Sequence, residues 1–455
     1  MMYLARDLGP ANFGVLSFAI AYSNMFSVFF DWGLQTFVTR EISRNKELAI
    51  KYLANISVIK IILSTVTFGI MALILNLSGY PSETITVVYI LAISLIFTVF
   101  CNLFYSIYQA FQVMEYSGIG QILYSALIFG GVIVSINYHL NVEGYALIFM
   151  GASIAVLLYN LIIAKRIIGN TGHILRNSLE VDWSFWKTAL IETTPFGLHI
   201  LFCNIFTWVD VVILASLQGN EAAGIYSAGA RIYSALLFLP NAFTAAIFPL
   251  MSHYHISGGD SLKLSLEKSS KYIFIIGLPM SAGIIILAPR IINLIYGQQY
   301  MLATITLKIL ACSLVFTFLD IGLSIYLSAI NRQTSNAKIS FVGAILGIGL
   351  NALLIPQYSY VASSFIRAAI DFIMFILLVC VIVTSAYKVN KFHTVNLIIK
   401  VLVATILMGV LAYYLSNFNL AAVIMISAMF YFILIFIFRV FDKTDMKMVQ
   451  QLIGK

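Results

Sequence analysis

Thirteen apolar runs, each near the length that crosses a bilayer, leave this chain little choice of fold. They lie at approximately 12–30, 52–75, 84–108, 117–136, 143–164, 188–216, 223–250, 270–288, 302–328, 339–355, 360–386, 396–415 and 419–438. A helix rises 1.5 Å per residue, so about 20 apolar residues span the hydrocarbon core. The runs lack the alternation of a β-barrel, and helices that satisfy their own backbone are the remaining way to cross lipid. The connections are short and polar, as in "NLSGYPSET", "QGNEA" and "NRQTSNAK". Only 10% of the residues are charged and 61% are hydrophobic, against about 25% charged in a soluble domain. Such a chain cannot cover itself with polar groups, so lipid must be its outer solvent. We expect an all-α, multi-pass protein of the cell (cytoplasmic) membrane.

Lysine and arginine orient the bundle. With the "RDLGP" turn outside, alternate connections fall on the cytoplasmic side. Those connections carry nineteen basic residues, among them Arg40, Arg44, Lys46, Lys51, Lys165 and Arg166, whereas the outer ones carry only Arg6 and Arg290. This is the bias of inserted helices toward basic cytoplasmic loops. The net charge of +8 is therefore a statement about insertion, and no nucleic acid partner is expected. Cys101, Cys203, Cys312 and Cys380 sit within apolar runs without metal spacing and read as small packing residues. His253 and His255 in "SHYH" have no further ligands nearby, so no metal site is expected. Nor is there a Gly-rich phosphate loop, and we expect neither a cofactor nor covalent catalysis.

The chain repeats itself. At a constant offset of 210, Ala5 matches Ala215, Gly9 matches Gly219, Gly14 matches Gly224 and Ser17 matches Ser227. Both stretches are outer turns followed by an apolar run, and duplicated halves are common in transporters. The second copy is preceded by the run 188–216, but the first is preceded only by "MYLA". We therefore expect a further helix ahead of Met1, missing through a late start or truncation; a relative that never had it is the alternative. The first lobe should then show an open face beside 12–30. With that helix there would be fourteen spans, as two pseudo-symmetric lobes of six and a final pair. The expected division is an N-terminal lobe at 1–165, a cytoplasmic linker at 166–187, a C-terminal lobe at 188–386 and an additional helix pair at 396–440.

Several stretches resemble a known family. "LARDLGPANFGVLSFAIAY…DWGLQTFVTREISR" is similar to the N-terminal signature of polysaccharide exporters of the O-antigen flippase type. These belong to the multidrug/oligosaccharidyl-lipid/polysaccharide exporter superfamily. The likeness continues through "DVVILASLQGNEAAGIYSAGARIYSALLFLPNAFTAAIFPLMS", "GLPMSAGIIILAPRIINLIYG" and "YLSAINRQTSNAKISFVGAILGIGLNALLIPQYSYVASSFI". It implies a V-shaped pair of six-helix lobes around a cavity that opens alternately to each face. The implied substrate is a polyprenyl-(pyro)phosphate-linked oligosaccharide, moved from the cytoplasmic to the outer leaflet, with membrane lipid and glycan-assembly proteins as partners. The chain departs from the family in lacking a first helix and in "YSYVASSFI", where relatives carry a Gly-Ala-Ala run.

Charges within the runs point to the site. Lys60, Asp210, Arg231, Lys308, Asp320, Arg367 and Asp371 all fall at span depth, where each ionised group needs a partner or water. A phosphate head needs counter-charge in the membrane, and Arg231, Arg367, Lys60 and Lys308 are the candidate substrate-binding cations. Arg231, Lys308 and Arg367 begin six to eight residues past an outer helix end, roughly 9–12 Å deep. Lys308 also has the length to snorkel outward. Two plainer readings stay open. Asp210 and Arg231 flank the hairpin near Asn220 almost equally and form a candidate structural ion pair; Arg367 and Asp371 stand at i and i+4 and can pair with each other. Asp320 and Asp371 are candidates for a coupling ion. Pro240 and Pro249 predict a bend within 223–250.

Two other functions compete. An ion-coupled multidrug exporter of the same superfamily favours an acidic cavity, whereas cations outnumber acids here by four to three, or five to three with Lys400. A membrane polysaccharide polymerase or ligase commonly needs a long outer loop, and the longest here is about 13 residues, 289–301.

Overall fold

The computed structural model describes residues 2–138, 140–168, 183–257, 259–330, 332–384 and 391–441. They form fourteen α-helices and two short 3-10 turns, without a strand among them. In order these are α1 Met2–Asp31, α2 Leu34–Arg44, α3 Ala49–Leu77, α4 Ser82–Ala110, α5 Glu115–Tyr138, α6 Val142–Ile168 and α7 Trp183–Gln218. Then follow α8 Asn220–Leu236, α9 Phe238–Ser257, α10 Gly259–Tyr296, α11 Ala303–Ala329, α12 Gln333–Thr384, α13 Lys391–Tyr414 and α14 Leu420–Ile437. Twelve helical stretches among the described residues are long and apolar enough to cross a membrane.

One of those stretches, Thr334–Thr384, holds 51 residues, or about 76 Å of helix, more than twice the ~30 Å core. It is two spans. The backbone breaks at Ser359, with φ 52 and ψ −136, just after Pro356. The expected runs 339–355 and 360–386 therefore both appear, so twelve stretches supply the thirteen expected crossings. The expected bend within 223–250 is the break between α8 and α9 at Leu237. Pro240 then sits in the first turn of α9, where its missing N–H costs nothing.

The chain divides into two compact units, residues 1–224 and 225–455. Each is inverted relative to a soluble protein. In α3 the exposed side chains are Ile61, Ile62, Val66, Ile70 and Leu73, while Lys60, Ser64 and Thr67 are buried. That distribution suits a helix whose outer face meets lipid tails and whose inner face carries the polar contacts.

In unit 1, α4 packs on α6 and α1, and α1 lies along α7. Helix α2 follows a sharp corner in which Trp32 (φ 47) and Gly33 (φ 78) are both left-handed. Its apolar residues Leu34, Phe37, Val38 and Ile42 recur at helical spacing and are buried against Leu103, Ile107 and Tyr108 of α4 and Trp186 of α7.

The division differs from the expected one. Helix α7 was assigned to the C-terminal lobe at 188–386, yet it packs in unit 1 against α1, α2 and α3. The boundary between the two compact units falls at 224/225, and most of the expected linker 166–187, residues 169–182, lies outside the described residues. Specific contacts account for the placement of α7. Trp32 Nε1 donates to Thr194 Oγ1 at 3.3 Å, Asn204 Nδ2 to Ser27 Oγ at 2.9 Å and Trp186 Nε1 to Asn55 Oδ1 at 2.9 Å. At Gly197 an added Cβ would stand 3.0 Å from the Trp32 ring, so a larger residue would have to push the ring aside by a few tenths of an ångström.

The repeat is visible in the backbone. Gly9 (φ 72) and Gly219 (φ 87), 210 apart, both occupy the left-handed region at the turn before their helices. Their partners Gly14 and Gly224 touch one another. A Cβ on Gly14 would lie 1.7 Å from the Asn220 carbonyl oxygen, and one on Gly224 would lie 2.0 Å from that of Pro10. Residues 2–8 are helical and end at Gly9, as "MYLA" broken by "RDLGP" implies.

In unit 2, α10 packs against α11 and α13, α11 against α9 and α12, and α13 against α14. Arg290, an outer basic residue, has a local task there. Its guanidinium donates to the carbonyl oxygens of Ser416 and Phe418, the latter at 2.6 Å, and fastens the α13–α14 turn.

Candidate functional site

Lys60 lies in the middle of α3 and is fully buried. Its ammonium forms an ion pair with Asp31 and donates to the Val99 carbonyl at 3.1 Å. Asp31 also accepts from the Gln35 N–H at 3.2 Å. The carboxylate thus holds the first turn of α2 across the Trp32–Gly33 corner. Lys60 was expected to face a hydrated cleft; its charge is instead satisfied within unit 1, because an unpaired ammonium at 0% exposure would be far too costly.

Two turns further along α2, Arg40 donates through Nε to Glu41 at 2.8 Å and through Nη2 to Glu192 of α7. Its guanidinium lies 5.5 Å from the centre of the Phe37 ring. Asp210, also on α7, is buried in unit 1. Arg231, on α8, belongs to unit 2 and is half-buried.

Unit 2 contains a denser polar centre. Asp371 Oδ2 accepts from Tyr233 Oη at 2.8 Å, Ser313 Oγ at 3.1 Å and Thr317 Oγ1 at 3.1 Å. Its other oxygen lies 3.4 Å from Arg367 Nε, the i,i+4 pairing that the spacing allows. Three hydroxyls and a guanidinium thus satisfy the carboxyl although the residue is almost wholly buried. Asp320, on α11, is near enough to Asp371 for the carboxylates to interact. Its Oδ1 is buried without a hydrogen-bond partner among the described residues. Arg231 has Tyr296, fully buried at the end of α10, as an electrostatic neighbour. Lys308, half-buried near the start of α11, has no ion pair or hydrogen bond among the described residues.

Sequence reasoning missed Asp31, Arg40 and Glu192 and the hydroxyls around Asp371. Asp31 lies one residue past the run 12–30, and Glu192 lies inside 188–216, so both were legible as charges in or beside spans. Strictly within the runs, five acids (Glu143, Glu192, Asp210, Asp320, Asp371) stand against six cations (Lys60, Arg231, Lys271, Lys308, Arg367, Lys400), and one residue beyond the runs adds Asp31 and Glu83 against five further bases. The cationic excess is small but remains. The stripe Thr306, Ser313, Thr317 and Asp320 has helical spacing and marks the polar face of α11. No group of three or more metal-ligating side chains occurs among the described residues; the side chains of His253 and His255 lie outside them.

The fold and sequence both have relatives. The structure is similar to the lipid II flippase MurJ in an inward closed conformation, with a TM-score of 0.75, 17% identity and 96% of each chain covered. It is also similar to an inward-facing multidrug resistance MATE transporter, with a TM-score of 0.67, 14% identity and coverage of 84% of this chain and 93% of that one. Among curated sequences, a probable low-salt glycan biosynthesis flippase of Haloferax volcanii is 21% identical over 81% of this chain and 76% of its own. A putative O-antigen transporter of Escherichia coli is 24% identical over 78% of this chain and 83% of its own. The family described as polysaccharide biosynthesis protein matches residues 1–255, more than half the sequence. A multi-pass helical membrane protein with this architecture and this match, the chain belongs to the polysaccharide biosynthesis protein family.

Proposed function

We infer that the protein is a flippase that moves a polyprenyl-(pyro)phosphate-linked oligosaccharide from the cytoplasmic to the outer leaflet by alternating access. The observation that carries this reading is the extent of the match. Similarity to proteins named flippase and O-antigen transporter covers more than three-quarters of this chain, so it involves the transport body rather than one signature. Arg231, Lys308 and Arg367 serve the anionic head as counter-charges, each with different readiness. Lys308 is available without exchange, Arg367 must loosen from Asp371, and Lys60 engages only by leaving Asp31. Asp320 and Asp371 are the coupling-ion pair, with Asp320 as the less satisfied member.

The test is reconstitution. Proteoliposomes holding the full chain should move a fluorescent short-chain polyprenyl pyrophosphate oligosaccharide between leaflets, and the chain should restore surface glycan in a strain lacking its own flippase. Inactivity in both assays by folded protein refutes the reading. The MATE-like fold favours one second reading, a multidrug exporter. It predicts raised resistance to cationic drugs in the same strain and no glycan rescue.

A further inference from the structure

Glu192 lies nine residues into α7, roughly 13 Å along the helix from Trp183, and its side chain is 44% exposed. At 36 residues, about 54 Å, α7 is longer than the ~30 Å hydrocarbon core, and Glu192 stands 26 residues, about 39 Å, from its outer end at Gln218, on the cytoplasmic side of that core. Its pair with Arg40 therefore lies at the cytoplasmic end of unit 1, among the basic connections around α2 and within reach of water. Arg40 is similarly open, at 38%.

The two sides of Arg40 differ. Nε is bound to Glu41, its neighbour on the same helix, and the face of the guanidinium rests on the buried Phe37 ring. These contacts fix its plane. Asp31 anchors the helix start through Gln35, so α2 is itself held in place. The Nη2 edge alone is turned to an exposed carboxylate on another helix. A planar donor edge held at a wet surface suits an oxyanion, and phosphate oxygens have the same donor requirement as a carboxylate. An exposed ion pair is weak, typically about 0.2–1 kcal/mol, so Glu192 can be displaced.

We propose that Arg40 and Glu192 form an exchangeable anion-loading site, in which the phosphate or pyrophosphate head of an incoming lipid replaces the Glu192 carboxylate on Arg40. Arg40 is then a substrate contact, and Glu192 holds its place while the site is empty. Displacing Glu192 also releases a tie between α2 and α7, so head-group capture loosens this part of unit 1. The proposal rests on the flippase reading for the identity of the lipid, but not for the existence of the anion site.

The experiment uses the full chain in phosphatidylcholine nanodiscs, with geranylgeranyl pyrophosphate as probe and geranylgeraniol as its uncharged control. Removing the competing carboxylate with Glu192→Gln should tighten pyrophosphate binding about two- to fivefold, the value of an exposed pair. Arg40→Gln should weaken it about tenfold or more, as loss of a charge-assisted contact requires. In the double variant, Glu192→Gln should give no further gain. Arg44→Gln, one turn away and more exposed, should change affinity little. Arg40→Lys should fall between wild type and Arg40→Gln, and it serves as the readout if the glutamine variant elutes as aggregate. Unchanged affinity in Arg40→Gln, or weaker binding in Glu192→Gln, overturns the proposal. An identical response with geranylgeraniol overturns it too, since the tail would then be the ligand. Loss of probe binding in phosphatidylglycerol nanodiscs assigns the site to bulk anionic lipid and overturns the substrate role. If the cycle holds in a protein that exports no glycan, the anion site stands and the flippase reading falls.

Discussion

Replacing Asp31 with Asn isolates the one ion pair whose loss should matter most. Asparagine caps a helix about as well as aspartate, so the bond from the Gln35 N–H can survive the change. What disappears is the countercharge to Lys60, which is left with the Val99 carbonyl and no exposed surface. Stripping one partner from a buried pair typically costs about 3–5 kcal/mol, because the remaining charge is both desolvated and unmatched. Lys60→Met alone strands a carboxylate that retains 19% exposure, so its cost should lie at or below the lower end of that range. The double variant Asp31→Asn/Lys60→Met removes both charges and keeps the volume. Replacing a buried ion pair with apolar groups of similar size is often neutral, so the double should be more stable than Asp31→Asn. The assay is equilibrium unfolding of the purified protein in mixed detergent micelles, supported by thermal aggregation curves. A cost below about 1 kcal/mol for Asp31→Asn, or a double variant no better than that single, would refute the assignment of Lys60 to an internal pair. It would return Lys60 to the list of cations that face water.

Three other outcomes are expected. Tyr233→Phe removes one of three hydroxyl donors on Asp371; it should lower unfolding free energy by about 1.5–3 kcal/mol and shift the ion concentration for half-maximal transport, whereas an unchanged ion dependence argues against Asp371 as a coupling group. Ser359→Gly relieves a positive-φ backbone strain of about 1–3 kcal/mol at the turn inside α12, so the variant should melt higher in detergent, and a lower melting point would show that the serine side chain matters more than its backbone. Gly14→Ala places a methyl against the Asn220 carbonyl and should sharply reduce folded yield, by at least the ~1–3 kcal/mol of an overpacked contact, measured by fluorescence-detected size exclusion beside Gly69→Ala, where space is open.

The spans were legible because lipid imposes a length and a polarity on every crossing, and no tertiary contact can overrule that. The breaks were partly legible: proline marked those at Leu237 and Ser359, but nothing marked Trp32, whose left-handed backbone is held by its seat on Thr194 and Gly197. The site was harder. Sequence depth showed that Lys60, Arg231, Lys308 and Arg367 were within the membrane, but depth does not say which way a side chain turns. Asp31 reaches Lys60 only because the corner at Trp32 brings the end of α1 toward α3. The placement of α7 had no sequence signal either, since a repeat reveals which segments are equivalent and not which neighbours they adopt.

The contact between Gly14 and Gly224 has a consequence for how such a chain can diverge after duplication. Each copy of the motif supplies the small residue that the other copy leans on, so the two are mutual constraints rather than independent inheritances. A substitution tolerated in an isolated half is vetoed by its twin in the joined chain. Chimaeras that exchange residues 1–209 or 210–455 between relatives should therefore succeed only when both parents keep glycine at this seam, however different they are elsewhere.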